Sequence, residues 1–212
     1  MRDVMAELER WWQSGAPVGM ATVVRTWKSA PRQPGASMLV GPDDTAVGSV
    51  SGGCVEGAVY ELATTARDDG QPRLQRYGVS DDDAFAVGLT CGGIIEVFVE
   101  RVDPLAFPQL GQVAYDIRAG RPVAVATVID TSPASPATLG ARMLVRPNRS
   151  EATLGSERLD DAVRDDAQGL LAQATTTVLR YGPDGERRRD DIAVFVASYA
   201  PKPRMIVFGA SG

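Results

Sequence analysis

The chain has 212 residues, 44% apolar and 23% charged, enough for one sizeable core or two small ones and unlike a disordered chain. No run nears the roughly 18 apolar residues of a membrane span, and 22 Lys and Arg against 27 Asp and Glu, a net charge of -5, make nucleic acid a poor partner. The absence of His removes Ser-His-Asp and Cys-His nucleophiles and HExxH zinc sites, and two Cys cannot build a four-thiolate metal site.

The opening MRDVMAELERWW carries acids where a signal peptide would be apolar, so a cytoplasmic protein is expected, with its two cysteines read as thiols before a disulfide. Val4, Met5, Leu8, Trp11 and Trp12 recur at helical spacing; Asp3 suits a cap and Gly15 a stop. A β-branched run over 18–26 predicts a strand, followed by a Pro/Ser-rich turn and a short strand ending at Met38-Leu39-Val40. A third short strand leads to a helix whose stripe is Val55, Ala58, Val59, Leu62, Ala63 and Ala66. Strands around 73–78 and 94–100 follow. The order then recurs. Leu110, Val113, Ala114 and Ile117 form a helix after Pro108 and before Gly120, strands follow at 123–131 and up to Met143-Leu144-Val145, and Leu159, Ala162, Val163, Leu170, Leu171 and Ala174 form a second stripe. Strands near 176–181 and 192–198 close the series. Trp11, Trp12 and Trp27 read as core rather than as a stacking platform.

The recurrence is visible in the letters. Residues 17–40, PVGMATVVRTWKSAPRQPGASMLV, match residues 122–145, PVAVATVIDTSPASPATLGARMLV, at 12 of 24 positions without a gap, which marks an internal duplication. Gly48-Ser49 is matched to Gly155-Ser156, Arg76-Tyr77-Gly78 to Arg180-Tyr181-Gly182, and Val97-Phe98-Val99 to Val194-Phe195-Val196. The expected fold is α+β: two pseudo-symmetric α-β-β-β-α-β-β repeats with short mixed or antiparallel strands, spanning 1–103 and 104–200. Either two half-sheets pack about a pseudo-twofold axis or one mixed sheet runs through both. After Pro201-Lys202-Pro203, the run Arg204 to Gly212 reads as a buried strand entering glycines, the first strand of a truncated Rossmann domain over 201–212.

The duplication also serves as an internal control, since features of the fold should survive in both copies and features of one site need not. Both cysteines and both double-glycine turns belong to the first copy: Ser51-Gly52-Gly53-Cys54-Val55-Glu56-Gly57, and Cys91-Gly92-Gly93. Arg32, in the turn SAPRQPG that ends at Gly35, is replaced by Ala137. Two glycines before a helix permit left-handed backbone and close approach of a ligand, and the helix start favours an anion. Cys54 is expected in the first turn, where the dipole favours thiolate. Arg32 could offer a planar donor fork to a phosphate. Together these describe a site for an anionic, phosphorylated ligand beside a thiol. The alternative is that Cys54 only fills a tight corner, Arg32 is an ordinary surface arginine and Glu56 is a helix-start charge.

The block PVGMATVVRTWKSAPRQPGASMLV, followed by VGSVSGGCVEGAV and LTCGGIIEVFVE, resembles the XdhC/CoxI family, accessory proteins of molybdenum hydroxylases such as xanthine dehydrogenase and carbon monoxide dehydrogenase. The resemblance implies a cofactor-insertion chaperone rather than an enzyme. Such a protein binds molybdenum cofactor (molybdopterin) while a cysteine desulfurase replaces an oxo ligand with sulfide, then passes it to the apo-hydroxylase. By the same resemblance, Cys54 and Cys91 would lie near the metal or its dithiolene, Gly52, Gly53, Gly92 and Gly93 would admit the cofactor, Arg32 would meet its phosphate, and Gly35, Ser51 and Glu56 would shape the site. NAD(P) or another nucleotide would enter only through the missing Rossmann domain. Two other functions stay open: a nucleotide-dependent oxidoreductase with a redox thiol, and a non-catalytic interaction module. A homodimer is expected from the prevalence of symmetric assemblies.

Overall fold

The computed structural model describes residues 1–78, 92–133 and 135–201. A 3-10 turn, Arg2–Val4, leads into α1 (Met5–Gln13), then β1 (Val18–Trp27), β2 (Ser37–Val40), β3 (Ala46–Gly48), α2 (Glu56–Asp69), β4 (Arg73–Tyr77) and β5 (Ile94–Val102). The second repeat gives α3 (Leu110–Arg118), β6 (Ala124–Thr131), β7 (Arg142–Arg146), β8 (Arg149–Glu151), α4 (Glu157–Ala172), β9 (Thr177–Tyr181) and β10 (Ile192–Ser198). Each repeat makes its own five-stranded sheet, ordered β3-β2-β1-β5-β4 and β8-β7-β6-β10-β9. Every pairing is antiparallel. Two packed half-sheets are therefore the correct form, and one mixed sheet is not. The Rossmann-like strand expected after residue 201 lies outside the described residues.

The sheets face each other. Met20, Val24 and Phe98 from the first meet Val125, Ile129 and Phe195 from the second in one shared core, which α1 and α3 close with Leu8, Trp11, Leu110 and Val113. On the outer face of the first sheet α2 lays Val59, Ala63 and Ala66 over Ala21, Val23 and Val97; on the second, α4 lays Leu159, Val163 and Ala167 over Ala126, Val128 and Val194. A central strand covered on both faces needs apolar residues throughout, which is why β1 reads as a run rather than an alternation. β1 touches β9 as β6 touches β4, and α1 packs on α3, so the halves are related by a pseudo-twofold axis.

Both copies carry a β-bulge at the same place. Pairing between β1 and β5 slips between Val23 and Arg25, and pairing between β6 and β10 slips between Val128 and Asp130. The extra residues, Val24 and Ile129, are duplicates of each other and both enter the shared core.

Helix ends follow the expectation in part. Gly15 (φ +77°) and Gly120 (φ +64°) take the left-handed conformation just past α1 and α3. Asp3 caps nothing: the 3-10 turn places Val4 at the N-cap of α1, with no side-chain bond, so the chain enters the helix already coiled. α4 has a true cap, because Ser156, in extended conformation, accepts from the Leu159 N–H at 3.3 Å. Ser156→Ala should cost about 1 kcal/mol in urea unfolding; no change would show that this bond contributes nothing. Trp11 is buried as expected, whereas Trp27 is 38% exposed with the Arg76 guanidinium 5.0 Å from its ring.

Candidate functional site

Strand register brings most of the sequence candidates to one end of the first sheet. Trp27 pairs with Ile94, Tyr77 with Ile95, and Met38 with Gly48. The turn after β1, the loop after β3, the end of β4 and the start of β5 therefore meet there. Gly93 lies tightly on the backbone of Ser29 and Ala30, and Gly78 on Gly93 and Ile94, so these glycines serve close packing between loops.

The loop from Ser49 to Val55 is organised by one carboxylate. Glu56 opens α2 and turns back; its oxygens accept from Ser49 Oγ (2.7 Å), the Ser51 N–H (2.9 Å), the Gly53 N–H (2.7 Å) and Ser51 Oγ. Ser51 Oγ in turn accepts from the Val55 N–H (3.0 Å), and Ser49 Oγ from the Gly52 N–H (2.9 Å). Burial works to raise the Glu56 pKa, but the hydroxyls of Ser51 and Ser49 and the amides of Ser51 and Gly53 outweigh it and hold the carboxyl at about 2. An anion does sit where the sequence pattern asks for one, and the protein supplies it. Amide donors of Ser51 and Gly53 are directed at Glu56 rather than at solvent.

The register of β2–β3 and β7–β8 refines the comparison of the two copies. Val47 pairs with Leu39 and Glu151 pairs with Leu144, so the counterpart of Gly48 is Ala152; both have positive φ, +88° and +69°. The sequence match of Gly48-Ser49 to Gly155-Ser156 is thereby corrected by three residues. Val50 then answers Leu154, Val55 answers Leu159 and Val59 answers Val163, all essentially fully buried. Glu56 answers Asp160, whose carboxylate accepts from the Leu154 N–H at 2.7 Å. A carboxylate that ties down the loop is thus part of the shared scaffold, a role that sequence reasoning missed along with Ser49.

What differs is where the helix begins. α4 starts at Glu157, the counterpart of Gly53, whereas α2 starts three residues later at Glu56. Gly52 (φ +76°) and Gly53 (φ +118°) hold conformations that a right-handed helix cannot use. Cys54 therefore lies just before α2 and not in its first turn, a correction to the sequence expectation. It is half-buried against the α2-side core. Among the described residues, the Cβ positions of Gly52, Gly53 and Gly92 meet nothing within 4 Å, so no described side chain or backbone covers these glycines.

The remaining candidates separate. Arg32 is exposed and borders a groove with Arg2, Asp3, Thr176, Ser198 and Tyr199, which no residue of the Cys54 loop lines. Gly35 is a turn residue (φ +95°) whose carbonyl accepts from the Met1 amine at 2.5 Å. Cys91 lies outside the described residues. Among the described residues no three His, Cys, Asp or Glu side chains gather as a metal site, and no helix is long and apolar enough to cross a membrane. The Gly52-Gly53 turn thus stands beside one half-buried thiol, Cys54.

Two pseudo-symmetric α+β halves, one with a glycine-opened turn and one with the corresponding helix intact, define the class. The XdhC and CoxI family matches at residues 11–78 and 116–182, one segment in each repeat, and the chain belongs to this family. The uncharacterized protein YqeB of Escherichia coli (strain K12) is 35% identical over 97 residues, covering 46% of this chain and 18% of the relative. A protein of Bacillus subtilis (strain 168) named as a probable xanthine dehydrogenase subunit is 28% identical over 193 residues, covering 90% of this chain and 52% of that protein. A crystal structure of a xanthine dehydrogenase from Bacillus halodurans superposes with a TM-score of 0.63 at 25% identity, covering 93% of this chain and 53% of the other. The chain thus spans about half or less of the relatives it matches.

Proposed function

We propose that this chain works as a duplicated accessory module for a molybdenum hydroxylase such as xanthine dehydrogenase. It receives molybdenum cofactor as cargo for sulfuration and delivery. The observation that carries this proposal is the family match in both repeats, with 90% of the chain aligned to a relative named as part of a xanthine dehydrogenase. In this reading the Cys54 turn is the contact for the cofactor: Gly52 and Gly53 leave the backbone open, and the thiol stands at the loop end. Glu56 holds the turn in place and Arg32 contacts a partner rather than the same ligand. A cysteine desulfurase supplies the sulfur, and the apo-hydroxylase is the acceptor.

The test is coelution of molybdenum and pterin with the purified full-length protein after incubation with molybdenum cofactor. Retention supports the proposal; no retention by the full-length protein defeats it. Cys54→Ser should weaken retention roughly ten- to a hundred-fold, the scale of losing one contact around a metal. A loss of that size should not follow from Thr65→Ser at an exposed position on α2. The name of the Bacillus subtilis relative favours a second reading, a non-catalytic component held permanently by the hydroxylase. Stoichiometric copurification with active hydroxylase, without cofactor bound to the accessory chain alone, would select it.

A further inference from the structure

Deep in the shared core, two charges meet across the boundary between the repeats. Glu100 projects from β5 and Arg142 from β7; they form an ion pair whose side chains are only 7% and 8% exposed. Arg142 Nη1 also donates to the Ala106 carbonyl at 3.1 Å, and the guanidinium carbon lies 4.5 Å from the centre of the Phe107 ring. Burial pushes the Glu100 carboxyl up, and Arg142 opposes that shift.

The duplication shows why this pair is unusual. Register pairs Thr22 with Ser37 and Thr127 with Arg142, so the position of Arg142 is held in the first repeat by Ser37. Register also pairs Met20 with Glu100 and Val125 with Ala197, so the position of Glu100 is held in the second repeat by Ala197. Around these positions the halves agree: Thr22 and Thr127, Phe98 and Phe195. Each repeat thus carries one charge, of opposite sign, at a position where its sister has a small residue. The pseudo-twofold axis brings the two charged positions together at one corner and leaves Ser37 and Ala197 for the other.

We infer that Glu100 and Arg142 key this interface, so that the inner face of repeat one accepts a second repeat and rejects another copy of itself. Two first repeats face to face would bury two carboxylates against serines. Two second repeats would bury two guanidiniums against alanines. An unpartnered buried charge is strongly destabilising, whereas a buried pair adds little over apolar packing, so the pair's effect lies in choosing the partner. The same rule governs contacts between chains: any exchange of halves must join repeat one of one chain to repeat two of the other.

Full-length variants test this by urea unfolding and by native mass spectrometry. E100R and R142E each place like charges at the corner, and each should lower the unfolding midpoint by about 1 M or more. The double variant E100R/R142E should recover most of that loss. A double-variant loss equal to the sum of the two single losses overturns the inference. When the E100R and R142E chains are unfolded and refolded together, every corner can be neutralised only in a one-to-one heterodimer with exchanged halves. That species should appear in the mixture and not with either chain alone, even if each single variant fails to fold by itself. Its absence from the mixture overturns the inference.

Discussion

Gly19→Val should destabilise the protein by about 3 kcal/mol, the upper range for forcing extra carbon into a packed site. Gly19 sits on β1 beneath α2, and a Cβ there would overlap the Ala63 carbonyl of that helix. The obstruction is backbone, so no change of rotamer relieves it; α2 must move away or β1 must bend. Gly19→Ala should already cost about 1–3 kcal/mol. The duplicate position in β6 is Ala124, fully buried, so the second repeat seats its helix over a methyl group. Ala124→Gly should therefore cost only about 1 kcal/mol, from backbone entropy and lost contact. Urea unfolding of the three variants checks this, and a Gly19→Val chain as stable as the parent would contradict the close seating of α2 on β1.

Glu56→Gln should cost about 2 kcal/mol at neutral pH and also remove a pH dependence. The amide keeps the length of the side chain but loses the charge, and its NH2 group faces donors in place of acceptors. Because the folded-state pKa, about 2, lies below the usual value of 4.5, the carboxylate contributes stability that is fully present above pH 4.5. That contribution fades as pH falls from 4.5 toward 2. The parent should therefore lose stability across this window relative to E56Q, and the two curves should converge near pH 2. Partial exposure screens the effect, so the predicted loss stays well below that of a deeply buried ion pair. Parallel curves for parent and variant would show that the loop does not depend on the Glu56 charge. The Glu100 carboxyl titrates with the opposite sign, its pKa being raised, but it is common to both proteins and drops out of the difference.

Much of the fold could be read from the letters because the chain is written twice. Apolar stripes such as Val59, Ala63 and Ala66 and the run 18–26 fall on α2 and β1 as expected. Strand order was not legible, since the choice of β5 and not β4 as the neighbour of β1 is made by pairing between residues 67 to 84 positions apart. The site was half legible. Its glycines and Cys54 stood out as differences between copies, but identity matching set Gly48-Ser49 on Gly155-Ser156 and concealed the kinship of Glu56 with Asp160. That kinship lies in what the carboxylates bind, and different loop shapes deliver it through side chains of different length. The delayed start of α2 was hidden too, because the residues that remove a helical turn are also those that permit ligand approach. Nothing in the letters singled out Arg142; only the facing sheet shows that it is enclosed.

The extra residue at Val24 decides which way the end of β1 looks. Up to Val23, odd-numbered side chains lie under α2; beyond the slip Arg25 pairs with Glu96 and Thr26 with Ile95, and Ile95 belongs to the α2 side. Parity has been reset by one. Trp27 and its Arg76 companion are thereby turned toward the second half, next to Thr177 and Val178, and away from the side where Cys54 lies. Were Val24 to take a paired place in unbroken alternation, Trp27 would face the α2 side, the side on which Cys54 lies; as a bulge, Val24 leaves that indole on the opposite face.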